Sequence, residues 1–536
     1  MINPAISNRG QEKKTYKMGR RYLFLTVFVA GMSTLAIEFT ASRLLQTVYG
    51  TSNIVWANVI GLVLLSLTAG YFIGGRVADR YPVASVFYGL VTAAGFAAIF
   101  FLLLTGAILR DASAALAIMN VNAVAGSLVL VVLALVVPVT LLGCLSPFAI
   151  RLAVQDVSEA GRISGRVYAI STLGSLLGTY LPVLIIIPLA GSRLASVIFG
   201  SALLIVGLVG LWRSTGNRAA RFGSLILPLL LLPALAFWLR GGIKTYAGQL
   251  YETESAYNYI QVIRRGDCNY LLLNEGQAYH SFYCDGGRVP EISVWSVMLA
   301  APYFNADPAP PKRMAVVGLA AGTIPKQFTR VFGPITIDGV ELDPAIIDAG
   351  REYFALNEPN IRAITGDGRY ELSRLSGPYD VITIDAYKVP YIPWHLTTRE
   401  FFIEASDRLS EHGVLAINVG RVPDDRRLID AVGATLLSVF PTVHAIDVPG
   451  TLNTILVATK QPTTIGDLQA NLTALADSED PLLRDALATA AANIAPLGSG
   501  GPVMTDDLAP IEFISDSIVV RYLLDAGPSG LGTLGQ

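Results

Sequence analysis

The chain has 536 residues, 52% hydrophobic and only 15% charged, which is too apolar on average for a soluble enzyme of this size. Its net charge of −2 conceals two opposed halves: residues 1–245 hold 19 Lys+Arg and 6 Asp+Glu, so 39 − 19 = 20 basic and 41 − 6 = 35 acidic residues fall in the remainder. Three cysteines exclude a disulfide scaffold, no Cys/His cluster has the spacing of a zinc site, and neither a metal nor a nucleic acid is expected.

A basic tail, residues 1–21, precedes the first apolar run and carries no small-residue cleavage site, so that run reads as a retained span rather than a signal peptide. Residues 22–240 contain seven nearly uncharged runs, at Tyr22 to Ile37, Asn53 to Gly75, Tyr81 to Leu109, Ala112 to Ile150, Val167 to Ser192, Leu194 to Trp212 and Phe222 to Leu239. A helix needs about 20 apolar residues to cross a bilayer core of about 30 Å, so a membrane domain of about seven helices is expected, with lipid as its partner. Lys and Arg crowd the tail and alternate loops, which predicts a cytoplasmic N-terminus in the cell (inner) membrane. The last run carries Pro228 and Pro233 and would be about 27 Å long if helical. If it crosses, the acidic half lies outside the cytoplasm; if it only dips into the bilayer, that half stays inside.

Two features could make the bundle more than an anchor. Glu38 sits at the edge of the first span with Arg43 one and a half turns on, either a functional ionisable group or an interfacial pair. The loop GGRVADRYP, Gly74 to Pro82, resembles one of the major facilitator transporters.

Beyond the membrane half, residues 246–310 alternate apolar and polar residues from Tyr251 to Tyr283 around Asn274, Glu275 and Gly276, a strand followed by a hairpin. Cys268 and Cys284 lie eight residues either side of Gly276. They could face each other and bridge, but a turn of another length would offset them, and two unpaired thiols is the preferred reading. A helical stretch near Glu291 to Tyr303 and the proline-rich link Pro308 to Pro311 follow.

Residues 311–465 alternate strand and helix: MAVVGLAAGT, ITIDGVELDP, AITGDGR, YDVITIDAY and GVLAINVG. This predicts a doubly wound, mostly parallel Rossmann-like sheet of methyltransferase type, with residues 466–536 as a helical extension and tail. Such sheets bind ligands beyond the carboxyl ends of their strands. There the sequence puts Gly318 and Gly322, which let a ligand approach the backbone; Glu341, suited to ribose hydroxyls; and Asp367 and Asp385. Polar groups at the same edge of four successive strands predict a nucleoside-type ligand.

From Tyr251 to Val457 the chain resembles the spermidine synthase-like proteins, the polyamine aminopropyltransferases, in their membrane-fused form. The resemblance rests on ESAYNYIQV, YLLLNEGQ, VVGLAAGT, VELDP, GDGR, VITIDAY, LTTREFF and GVLAINV in the family's order. It implies transfer of an aminopropyl group from decarboxylated S-adenosylmethionine to an amine acceptor, and it is compatible with a homodimer. Carried over by motif, Gly318, Ala320 and Gly322 would line the nucleoside, Glu341 would hold its ribose, and Asp367 with Gly368 would face the adenine. Asp385 would take the acceptor's proton, Tyr257 would help to position it, and Glu291 and Tyr387 would bind the acceptor. The chain departs from the family pattern at Lys388, where a second acid is usual, in its GLAAG loop, which lacks the family's acid, and at Asn258, where glutamine usually follows the tyrosine. Two alternatives stand beside this reading: a decayed nucleoside sensor coupled to a transporter-like bundle, and a methyltransferase using S-adenosylmethionine.

Overall fold

A computed structural model describes residues 19–49, 53–119, 123–215, 221, 223–226, 228–231, 244, 246–274, 278–289, 292–387, 391–422, 424–475 and 480–526. The chain divides into two compact units. One comprises Met1–Ala41, Ile60–Gly106 and Val131–Gly241; the other comprises Ser42–Val59, Ala107–Leu130 and Gly242–Gln536.

The apolar runs become α1 (Arg20–Tyr49), α2 (Asn53–Arg80), α3 (Ala84–Met119), α4 (Ala123–Ala153), α5 (Ala160–Leu181) and α6 (Ile187–Ser214), with a π-helical turn Pro182–Ile186 between the last two. Among the described residues, five stretches are long and apolar enough to cross a membrane: Arg20–Leu44, Trp56–Arg80, Ala84–Leu104, Leu135–Ala153 and Val157–Ser214. The last has 58 residues, which would extend about 87 Å as one straight helix. Gly191 breaks it at φ 79°, ψ 162°, beside the boundary expected between the fifth and sixth runs. The third and fourth runs divide later than their charges suggest, because Arg110 and Asp111 lie inside α3: a charged pair without proline does not end a helix. Phe222 to Leu239 falls largely outside the described residues.

Small residues bring α1 and α5 together. A β-carbon on Gly174 would stand 2.1 Å from the Phe28 carbonyl oxygen, and one on Gly178 2.0 Å from that of Met32, the close backbone approach by which apolar helices associate where lipid offers no hydrophobic gain. Arg20 pairs with Glu159 at 3.8 Å and Arg151 with Asp79 at 3.4 Å, gathering the start of α1, the end of α2, the end of α4 and the turn before α5 at one end of the bundle. Glu38 belongs to the first unit. Arg43 belongs to the second unit, where its guanidinium donates to the carbonyls of Ser255, Ala256 and Tyr257 at 2.8, 2.6 and 3.3 Å, satisfying several donors at once.

Among the described residues, the second unit holds two sheets. The first is an antiparallel meander of β1 (Gln249–Glu254), β2 (Tyr259–Arg265), β3 (Cys268–Leu273) and β4 (Tyr279–Cys284). Cys268 and Cys284 are directly paired across β3 and β4 and form a disulfide, which corrects the expectation of free thiols. The register slip that could have offset them is confined to a bulge at Leu271/Leu272, nearer the turn.

The second sheet has eight strands in the order β12-β10-β11-β9-β8-β5-β6-β7. Its parallel part consists of β5 (Arg313–Val317), β6 (Thr336–Glu341), β7 (Ile361–Thr365), β8 (Tyr379–Ile384) and β9 (Leu409–Gly420); β10 (Thr442–Asp447), β11 (Asn453–Thr459) and β12 (Ile494–Ala495) add antiparallel strands at one edge. The helices here are α7 (Val294–Val297, continued by a 3-10 turn to Phe304), α8 (Thr323–Phe332), α9 (Pro344–Tyr353), α10 (Gly368–Arg374), α11 (Arg399–Arg408), α12 (Arg427–Leu437), α13 (Ile465–Ala474), α14 (Pro481–Ala492) and α15 (Ile511–Ala526). Both faces of the sheet are covered, so its central strands are continuous apolar runs rather than alternating ones. Met314, Val316 and Val381 pack with Met298 and Leu483 on one face, while Ala315, Val317 and Ile382 pack with Phe401 and Val432 on the other.

Candidate active site

Parallel strands end at one rim, and the strand order sets the order of the side chains along it. From β9 to β7 the rim presents Asn418, Asp385, the Gly318 loop, Glu341 and the turn at Gly366 and Asp367. Adjacent strands are about 4.8 Å apart, so Asp385 and Asp367, three strands from each other, are separated by roughly 14 Å, about the length of a nucleoside.

The loop between β5 and α8 is shaped by its glycines: Gly318 and Gly322 have φ of 90° and 93°, where a side chain is strained, and Ala320 between them is also left-handed at φ 46°. That turn aims the Ala320 N–H at Glu341 Oε2, 2.9 Å away, while the Asp343 N–H donates to Oε1 at 3.1 Å. The loop after β5 is thus fastened to the carboxylate at the end of β6. Burial pushes the Glu341 carboxyl up to about 7, against the lowering by these backbone donors.

Asp367 caps α10 through Oδ1, which accepts from the N–H groups of Arg369 and Tyr370 at 3.1 and 3.0 Å. Its Oδ2 lies 2.9 Å from His395 Nε2. Gly368 packs against β5, where a β-carbon would stand 2.5 Å from Val317 Cγ1. The Gly366 N–H donates to the Glu341 carbonyl at 3.0 Å, joining the ends of β6 and β7.

Asp385 is held from the protein side. Trp295 Nε1 donates to its Oδ2 at 2.7 Å and Asn418 Nδ2 to its Oδ1 at 2.9 Å. Burial raises its carboxyl above the ordinary aspartate range, and those two bonds lower it. The Tyr387 hydroxyl donates to the Asn418 carbonyl at 2.9 Å, and burial followed by the nearby Asp385 charge raises it well above the usual phenol range. Tyr257 is 46% exposed on the loop between β1 and β2. That loop is tied to the end of β6 by Asp343, whose Oδ2 accepts from Ser255 Oγ at 2.5 Å and Asn258 Nδ2 at 2.9 Å.

The expected residues Gly318, Ala320, Gly322, Glu341, Asp367, Gly368, Asp385 and Tyr387 therefore belong to one rim. Tyr257 reaches it through Asp343 rather than through a direct bond to Asp385. Glu291 and Lys388 lie outside the described residues. Sequence reasoning missed Trp295, Asn418, His395 and Asp343. Asn418 carried a signal, a polar residue in the apolar run of β9; Trp295 carried none, since its stretch has the periodicity of core.

A doubly wound, mostly parallel sheet with a glycine turn after β5 and carboxylates at the ends of its neighbouring strands defines the Rossmann-like, methyltransferase-type class of fold. No protein-family model matches the chain. It is 30% identical over 316 residues to "Probable polyamine aminopropyl transferase" of Bifidobacterium longum, covering 55% of this chain and 68% of that protein. It is also 30% identical over 208 residues to "Polyamine aminopropyltransferase" of Vibrio vulnificus, covering 37% of this chain and 68% of that protein. The chain belongs to the polyamine aminopropyltransferase family. Similar solved structures include a probable spermidine synthase from Corynebacterium glutamicum, at 20% identity and a TM-score of 0.38, over 48% of this chain and 99% of that one.

Proposed function

We propose that the protein is a membrane-bound aminopropyltransferase that moves an aminopropyl group from decarboxylated S-adenosylmethionine to an amine. The observation that carries this reading is the single rim shared by Glu341, Asp367 and a buried, two-point-anchored Asp385. Gly318, Ala320 and Gly322 line the nucleoside, Glu341 accepts from the ribose hydroxyls, and Asp367 with Gly368 faces the adenine. For Asp367 to take the adenine amino group, its Oδ2 must be shared with His395.

An amine at neutral pH arrives as an ammonium, which has no lone pair. The Asp385 carboxylate attracts it, with Tyr257 and Tyr387 beside it, and takes one proton. The freed nitrogen lone pair attacks the methylene carbon attached to the sulfonium, in line with the carbon–sulfur bond. The C–N bond forms as the C–S bond breaks, its electron pair stays on sulfur, and neutral methylthioadenosine leaves. The product nitrogen keeps its remaining positive charge or sheds a proton to water.

The basic residues at alternate helix ends support a cytoplasmic N-terminus. The Cys268–Cys284 disulfide belongs to an oxidising compartment, so we read residues 246–536 as extracytoplasmic, which requires the run Phe222 to Leu239 to cross. The cationic donor would then have to be supplied on that side.

The direct test incubates the full chain, in detergent micelles, with decarboxylated S-adenosylmethionine and a panel of di- and polyamines. Methylthioadenosine and an aminopropylated amine should appear in equal amounts; nucleoside binding without transfer to any amine contradicts the enzymatic reading.

A further inference from the structure

Two neutral donors hold the carboxylate of Asp385 from opposite sides. Trp295 approaches Oδ2 from α7, and Asn418 approaches Oδ1 from β9, the strand hydrogen-bonded beside β8. Among the described residues each oxygen has one side-chain donor, which fixes the plane of the carboxylate and leaves a second lone pair on each oxygen to face a substrate.

Both donors are themselves immobilised. Trp295 is 8% exposed, its ring stacks at a tilt 5.6 Å from Phe282, and its short helix begins with a reciprocal cap between Ser293 and Ser296. Asn418 is 6% exposed on a paired strand, and its own carbonyl receives the Tyr387 hydroxyl. Among the described residues, the titratable group in electrostatic contact with Asp385 is Tyr387, whose raised phenol stays neutral through the working range.

The choice of an indole has a chemical consequence. An indole N–H donates and cannot accept. It therefore stabilises the carboxylate without offering a competing base to the acceptor ammonium, which a histidine there would do.

We propose that Trp295 is a positioning residue of the transfer: with Asn418 it fixes the plane of the Asp385 carboxylate and keeps it ionised, so that its open lone pairs meet the acceptor amine. The role of Asp385 in that sentence rests on the function proposed above.

The test uses the full chain in detergent micelles, labelled with 5-fluorotryptophan, with the Trp295 fluorine signal assigned by its loss in Trp295→Phe. That signal should titrate with the neighbouring carboxyl, and the titration should vanish in Asp385→Asn. In Asn418→Ala, loss of one bond to a charged acceptor should move the midpoint up by roughly one pH unit. A Trp295 titration that survives Asp385→Asn, or a midpoint unmoved by Asn418→Ala, overturns the proposal. The second arm measures transfer from decarboxylated S-adenosylmethionine to the amine panel. Trp295→Phe should lower kcat about tenfold at neutral pH, leave the donor KM unchanged and shift the acidic limb of the pH profile upward, so that activity recovers in alkali. An equal loss at every pH marks a merely structural role and overturns the proposal. If wild type shows no transfer, the proposed function fails, while the fluorine titration still decides the Trp295 contact.

Discussion

The α-carbon of Gly318 lies so close to the main chain of Asp385 that a β-carbon there would stand 2.4 Å from the Asp385 carbonyl oxygen. The Asp385 N–H also donates to the Val317 carbonyl at 2.8 Å, so the glycine loop after β5 and the Asp385 main chain are one rigid piece. Gly318→Ala should both strain a residue at φ 90° and push Asp385 away from its donors. The expected outcome is a loss of about 1–3 kcal/mol of stability and of nearly all transfer, read by thermal unfolding and by product formation.

Under the proposed function, Glu341 gives the donor site a pH dependence. Its folded carboxyl titrates at about 7, above the roughly 4.3 of an unfolded glutamate, so the folded chain holds this proton more tightly. The associated stability is complete below the unfolded value and is lost as pH rises through about 7. Ribose hydroxyls donate to the ionised form, so methylthioadenosine should bind more tightly as pH rises across the same window. Calorimetric titrations from acid to mild alkali should show this trend. Glu341→Gln should weaken binding by roughly 10- to 100-fold and flatten the trend.

Asp343 is fully buried and anchors the Tyr257 loop through Ser255 and Asn258. Asp343→Ala removes those two bonds and the cap on Ala345. A destabilisation of roughly 1–3 kcal/mol should appear, together with a raised KM for the acceptor and a methylthioadenosine affinity changed by less than about threefold.

The disulfide closes a loop of sequence separation 16. Replacing Cys268 and Cys284 by serine should cost about 3 kcal/mol. In intact cells, a membrane-impermeant maleimide should label neither cysteine before treatment with an impermeant reductant and both afterwards. Labelling that requires lysis contradicts an extracytoplasmic domain.

Much of this was legible in the sequence because parallel strands announce themselves. The apolar runs ending at Gly318, Glu341, Asp367 and Asp385 marked both the sheet and its rim, and family motifs supplied the chemistry. The antiparallel edge was not read: Thr442 to Asp447 and Asn453 to Thr459 form β10 and β11, but neither run ends in a glycine turn or a rim acid. Pairing information was also hidden. Whether Cys268 meets Cys284 depends on a turn length and on the bulge at Leu271/Leu272, and whether Arg43 prefers Glu38 or the carbonyls of Ser255 to Tyr257 depends on contacts more than 200 positions away. Trp295 is the clearest case: its helical neighbours Val294, Ser296 and Val297 are all buried, and only the fold brings its N–H to Asp385.

The most direct measurement compares wild type with Asp385→Asn, supplying labelled decarboxylated S-adenosylmethionine and the amine panel to the full chain and quantifying products by mass spectrometry. Transfer should fall by roughly 100- to 10,000-fold in the variant, while methylthioadenosine binding is kept. Transfer at the wild-type rate in Asp385→Asn would contradict the account, because another group would then be taking the proton.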